Sequence, residues 1–156
     1  HLGPNRGEFN RNNINKRLDI GVFQTNSLEK DQKFSGIPVL VTFLKSDQQN
    51  FDICLALSVV DEKGKNVNQF STGFLRVKNS KKDEECSHEI TMHPTNICLR
   101  KGSKLRLSIS AAAYPCIGVN PGSQIKSIGA PSIDHRIITL SFLLNKTFMK
   151  MTPFFR

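Results

Sequence analysis

Apolar and polar positions alternate with a period of two along most of the chain, which is the spacing of strands. Val39, Val41 and Phe43 interleave with Leu40, Thr42 and Leu44, so both faces of this stretch are apolar and a strand covered on both sides is expected. Residues 51–60 form a second apolar run, closed by the Asp61, Glu62, Lys63, Gly64 turn. Residues 66–78 read as a third strand, with Gly73 marking a bulge or a close approach of backbone. Residues 88–92 alternate. Leu105, Leu107 and Ile109 alternate with Lys104, Arg106 and Ser108, giving one dry and one wet face. Residues 111–135 carry Pro115, Pro121 and Pro131 and are expected to be a long loop, followed by a last strong strand through Ile138, Leu140, Phe142 and Leu144. No segment sustains a 3.6-residue period with caps. About eight strands without a helix predict an all-β sandwich or barrel.

The two ends differ from this body. Residues 1–17 are rich in Asn, Arg and Gly, without a period, and read as an extended lead-in. Residues 18–145 are the sandwich. Residues 146–156 carry Phe148, Met149, Met151, Phe154 and Phe155 with no periodic partner, so this tail either packs back across the sandwich or offers a surface for docking or self-association.

Charge sharpens the picture only in part. The 156 residues carry a formal net charge of +9, and the segment from residue 100 onward holds nine basic groups against one acidic group, Asp134. Such asymmetry suits a polyanion, an acidic partner or a merely solvated face. Arg100, Lys101, Lys104 and Arg106 cluster, but Tyr114 is the one aromatic residue nearby, and base stacking needs more; nucleic acid is not favoured. No run approaches the roughly 20 apolar residues of a membrane helix, and no export signal is visible. Cys54, Cys86, Cys98 and Cys116 form no C-x-x-C pair; reduced thiols in a cytoplasmic protein are expected, with Cys54 buried.

Reacting groups are hard to find. The IKSIG of residues 125–129 lacks the first glycine of a G-x-S-x-G elbow, so Ser127 is not expected to be a nucleophile. The HEITMH of residues 88–93 places His88 and His93 five apart, whereas a zincin needs four on a helix, and five apart in a strand puts them on opposite faces. Ser132, Asp134 and His135 are triad types too close in sequence to meet triad geometry. No phosphate-cradling glycine loop is present. Neither a metal nor an organic cofactor is expected.

The order of landmarks resembles one known module, the C-terminal non-catalytic domain of the X-Pro dipeptidyl-peptidase and cocaine-esterase (CocE/NonD) family of serine hydrolases. The resemblance rests on GEFN at 7–10 followed by RLDIGVFQTNSL at 17–28, on FSGIPVLVTFL at 34–44, on the 51–60 strand ending at Gly64, and on GFLR at 73–76. It continues through HPTN at 93–96, Lys101 and Gly102, LRLSIS at 105–110, Tyr114 with Pro115, and Asn120, Pro121 and Gly122. Lys63 stands for an Asp of the pattern, Val119 for a basic residue, and the tail after Asn145 is longer. The resemblance implies a jelly-roll sandwich of the galactose-binding type, joined in the same polypeptide to an α/β-hydrolase domain that carries the catalytic triad. The chain itself then has no catalytic residue. Tyr114, Pro115, Asn120, Pro121 and Gly122, with the entry segment 2–9, are placed at the interface with that domain, near its substrate site. Gly73 and Arg76 are placed as fold residues, the arginine offering five donors to backbone carbonyls. The alternative is a stand-alone β-sandwich that binds carbohydrate or a polyanion.

Overall fold

A computed structural model describes residues 9–114, 116–123 and 132–151. Among them the chain forms eleven strands, three 3-10 turns and no α-helix. The strands are β1 (Phe9–Asn10), β2 (Ile20–Gln24), β3 (Gln32–Gly36), β4 (Val39–Ser46), β5 (Phe51–Val60), β6 (Val67–Val77), β7 (Cys86–Thr91), β8 (Thr95–Leu99), β9 (Lys104–Ser110), β10 (Leu140–Phe142) and β11 (Phe148–Lys150). One sheet has the order β1-β6-β5-β9-β2; in a second, β4 is flanked by β7 on one side and by β10 and β11 on the other; β3 and β8 make a small third sheet. All the strand pairs are antiparallel. The chain is thus an all-β sandwich.

The core lies between the first two sheets. Leu40 and Leu44 of β4 and Ile90 of β7 meet Phe51, Ile53, Leu55 and Leu57 of β5 and Ile109 of β9, all buried. Side chains of a strand alternate between faces, so β5 divides cleanly. Its odd-numbered residues from Phe51 to Leu57 face this core. Asp52, Cys54, Ala56 and Ser58 point to the other side of the sheet, yet they too are buried. What covers them is the chain on either flank of the sandwich. The 9–19 segment lays Arg11 and Asn15 over Gln69 and Ser108, and the 116–123 segment lays Asn120 over Asp52. The outer face of β5, from Asp52 to Ser58, is therefore polar or small and yet buried.

Several elements depart from the periodic reading. β4 begins at Val39, as the alternation has it, but a further strand that the alternation does not mark, β3, precedes it and ends at Gly36 in a different sheet, Pro38 having no N–H to continue a ladder. β4 turns Leu40, Thr42 and Leu44 to the core. Its other face is only half covered, with Val39 and Phe43 partly exposed and Lys146 Nζ 5.7 Å from the Phe43 ring centroid. The irregularity in β6 falls at Phe70, between the Leu57–Ser71 and Ser58–Gln69 pairs, and not at Gly73. The wet face of β9 is roofed at Ser108, whose hydroxyl donates to Asn15 Oδ1 at 3.0 Å. The strand expected through Leu144 is only Leu140–Phe142. After a 3-10 turn the chain continues in the same direction along the same edge of β4 as β11, pairing Phe148 with Val41 and Lys150 with Val39. The expected lead-in supplies β1, which pairs with β6, and a 3-10 turn, Ile14–Lys16. Of the apolar tail, Met149 and Met151 pack against the core; Phe154 and Phe155 lie outside the described residues.

Candidate functional site: a charged clamp beneath a loop

β5 and β6 run antiparallel with Asp52 directly opposite Arg76, and opposite charges across a strand pair attract. The contact is bidentate. Arg76 Nε donates to Asp52 Oδ1 at 2.8 Å and Nη2 to Oδ2 at 2.7 Å. The Asp52 side chain is 2 % exposed and that of Arg76 17 %. Arg76 also stands 5.5 Å over the Phe74 ring, and its bond to Asp52 pushes the guanidinium's pKa up from its ordinary value.

This pair carries the loop after β9. Arg76 Nη2 donates to the Gly118 carbonyl at 2.8 Å. Asn120 Nδ2 donates to Asp52 Oδ1 at 3.0 Å, and Asn120 Oδ1 accepts from Gly122 N at 3.0 Å. Arg136 N donates to the Pro121 carbonyl at 2.8 Å, and Asn50 Nδ2 to that of Ser123 at 3.0 Å. Gly122 has φ +71°, and a Cβ there would meet Ile138 Cγ1 at 3.1 Å and Arg136 Cβ at 3.2 Å, so glycine is required for both reasons. Asn120, Pro121 and Gly122 are consequently buried in the sandwich. Tyr114, ahead of the clamped stretch, is 70 % exposed. Pro115 and the entry residues before Phe9 lie outside the described residues.

The clamp does not have the character of an acid–base pair. Both carboxylate oxygens of Asp52 and the fork of Arg76 are taken up by each other and by the loop. Cys54, next on the same face, has its thiol pushed up to about 12, by burial and then by the Asp52 charge, so it stays protonated and is a poor nucleophile at neutral pH. Gly73, by contrast, acts toward the core. It pairs with Leu55 and bridges to Met92, tying β6 to the end of β7, and a Cβ would lie 3.0 Å from Met92 Cγ and 3.2 Å from the Thr91 carbonyl oxygen.

The remaining motifs come apart in space. His88 is set edge-on to Phe51 with ring centroids 5.7 Å apart, and burial lowers its pKa. His93 Nδ1 instead pairs with Thr72 Oγ1 at 2.9 Å. Among the described residues, no group of three or more His, Cys, Asp or Glu side chains could hold a metal ion. Ser127 lies outside the described residues, and Ser132 to Asp134 form a 3-10 turn. Of the basic cluster, Arg100 is bonded to Asp31 at 3.0 Å and Arg106 to Gln24 at 3.0 and 2.6 Å, while Lys101 sits in the turn before β9 and Lys104 opens that strand. Among the described residues no helix is long and apolar enough to cross a membrane.

Beside the clamped loop the sandwich has an open seam. An apolar groove of about 310 Å³ lies between β2 and β10, lined among others by Leu18, Phe23, Ile109, Ala111, Ile138 and Phe142. A second, of about 200 Å³, shares Phe23, Ile109 and Phe142 and extends to Phe148 and Met149 of β11. Leu18 at its rim is fully exposed.

Asp52 does not stand out in its sequence context. A signal is nonetheless there: one carboxylate in the apolar run 51–57 needs a cation if it is buried. Which cation is a matter of strand register.

The buried ion pair of this β-sandwich thus holds the loop after β9 in place. The family defined as the X-Pro dipeptidyl-peptidase C-terminal non-catalytic domain matches residues 4–141, and the chain belongs to it. Among solved structures, an aminopeptidase from a marine sediment Thaumarchaeota archaeon superposes with a TM-score of 0.83 at 16 % identity, over 93 % of this chain and 27 % of that one. A selenomethionine-labelled α-amino acid ester hydrolase gives 0.83 at 14 % identity, over 92 % of this chain and 27 % of that one. A CocE/NonD family hydrolase from Staphylococcus aureus gives 0.61 at 15 % identity, over 86 % and 32 %. The chain thus spans about a third or less of the proteins it resembles in fold. No curated protein sequence matches it.

Proposed function

We propose that this domain packs on the α/β-hydrolase catalytic domain of its own polypeptide and helps wall the substrate site, in a serine hydrolase of the X-Pro dipeptidyl-peptidase or acyl-esterase type. The observation that carries this reading is the Asp52–Arg76 clamp, which fixes Gly118 and Asn120. A loop that walls another domain's pocket has to be rigid before the two meet, since ordering it on contact would cost conformational entropy. The clamp does this with buried charge-assisted hydrogen bonds. Exposed Tyr114 and Leu18 and the apolar groove beside the loop provide contact surface of the kind that marks an interface. The chemistry belongs to the neighbour; this chain contributes shape.

Tyr114→Glu in the intact hydrolase polypeptide tests this. A charge forced into a packed interface is expected to lower kcat/KM about tenfold, corresponding to ~1.4 kcal/mol. The melting temperature of the isolated domain should stay unchanged, because Tyr114 is exposed there. Wild-type kcat/KM in the variant would count against contact at this loop.

A further inference from the structure

The 9–19 segment carries a second buried charge that the clamp does not explain. Arg11 is 3 % exposed. Its Nη1 donates to Gln69 Oε1 at 2.7 Å and its Nε to Asn15 Oδ1 at 3.3 Å, both neutral acceptors. No carboxylate is bonded to it among the described residues. A guanidinium has five N–H donors, so three remain. Two more polar atoms close by are buried without a partner: Asn15 Nδ2 and Ser58 Oγ, the latter on a residue with no exposed surface.

Strand register puts these groups in one compartment. Ser58 of β5 stands opposite Gln69 of β6 on one side and Arg106 of β9 on the other. Ser108, opposite Ala56, is the next position along the same face, and its hydroxyl donates to Asn15 Oδ1. Gln69, Ser58 and Ser108 therefore form the floor, and Arg11 and Asn15 the roof, of a compartment between sheet and N-terminal segment. Its spare groups are mostly donors, and among the described residues no carboxylate meets its one positive charge. Burial of a charge without a counter-charge is costly, and water in this space would bond the donors without neutralising the cation. A single monovalent anion does both.

We infer that this compartment binds one small monovalent anion of halide size, with Arg11, Asn15 Nδ2 and Ser58 Oγ–H as its donors. The anion ties the 9–19 segment to the outer face of the five-stranded sheet.

Two measurements on the whole chain test it. At constant ionic strength, replacing gluconate by chloride should raise Tm by roughly 3–5 °C for each tenfold increase above the dissociation constant. Crystals grown in bromide should show an anomalous peak between the Arg11 guanidinium and Ser58. Arg11→Met should abolish the halide response; if that variant fails to fold, the wild-type measurements decide alone. A Tm indifferent to halide overturns the inference, whether the compartment then shows water, a carboxylate from elsewhere in the polypeptide, or bromide at crystal concentration only.

Discussion

Arg76→Met is expected to destabilise the domain by about 3–5 kcal/mol, the cost of leaving a buried carboxylate without its partner. The figure applies because Asp52 is only 2 % exposed at its side chain and cannot turn to water in place of the lost guanidinium. Methionine keeps much of the arginine's apolar stem, so packing against Phe74 is largely retained. The variant also frees the Gly118 carbonyl, so hydrogen exchange at residues 116–123 should quicken more than exchange in the β5–β9 ladder. The double variant Asp52→Leu with Arg76→Met should recover part of the loss, since two apolar groups can replace a buried pair at little cost. Recovery should be incomplete, because Asn120 loses its acceptor. Chemical denaturation of the two singles and the double measures this. Additive losses would mean that Asp52 and Arg76 do not act as a pair.

Gly73→Val is expected to cost more than about 3 kcal/mol, and Gly73→Ala about 1–3 kcal/mol, as overpacking. The glycine faces the core opposite Leu55, where the absent side chain gives room to Ile90 and Met92. Met92 can yield, being unbranched and flexible. The Thr91 carbonyl oxygen, 3.2 Å from where a Cβ would stand, belongs to backbone that the Gly73–Met92 bridge and the bond from Met92 N to the Pro38 carbonyl hold in place. The penalty should therefore appear as separation of the two sheets at this edge. An unfolding free energy for Gly73→Ala within about 0.5 kcal/mol of the wild type, from chemical denaturation, would show that the backbone here gives way.

The legible part of the fold is the part that local periodicity encodes. β5 is marked by a long apolar run, and β6 and β9 are long enough for their pattern to be read. β8, with Asn96 and Cys98 exposed between half-buried Thr95 and Ile97 and buried Leu99, is five residues of mixed character, and only pairing with β3 makes it a strand. β11 is three residues long and exists because β4 has a free edge that β10 leaves half used. Pro38 is a readable break between β3 and β4, and its buried position explains why the chain changes sheets there. The candidate site is legible in its residue types but not in its connections. Arg76, Asn120 and Gly122 stand out as residues with special donors or backbone freedom, whereas their convergence on Asp52 follows from a register 24 residues apart and a loop contact 68 apart. Arg11 gives no signal at all, because an arginine in an Asn- and Arg-rich segment reads as solvated until something is seen to bury it.

For a non-catalytic domain proposed to pack on a catalytic neighbour, amide hydrogen exchange compares the free and the docked state directly. Measured on this chain alone and on the intact polypeptide that includes the catalytic domain, the amides around Leu18, Tyr114 and the end of the 116–123 loop should exchange at least about tenfold more slowly in the intact protein. The β5–β6 core should exchange alike in both. Equal exchange at Leu18, Tyr114 and the loop in the two forms would contradict the proposed packing.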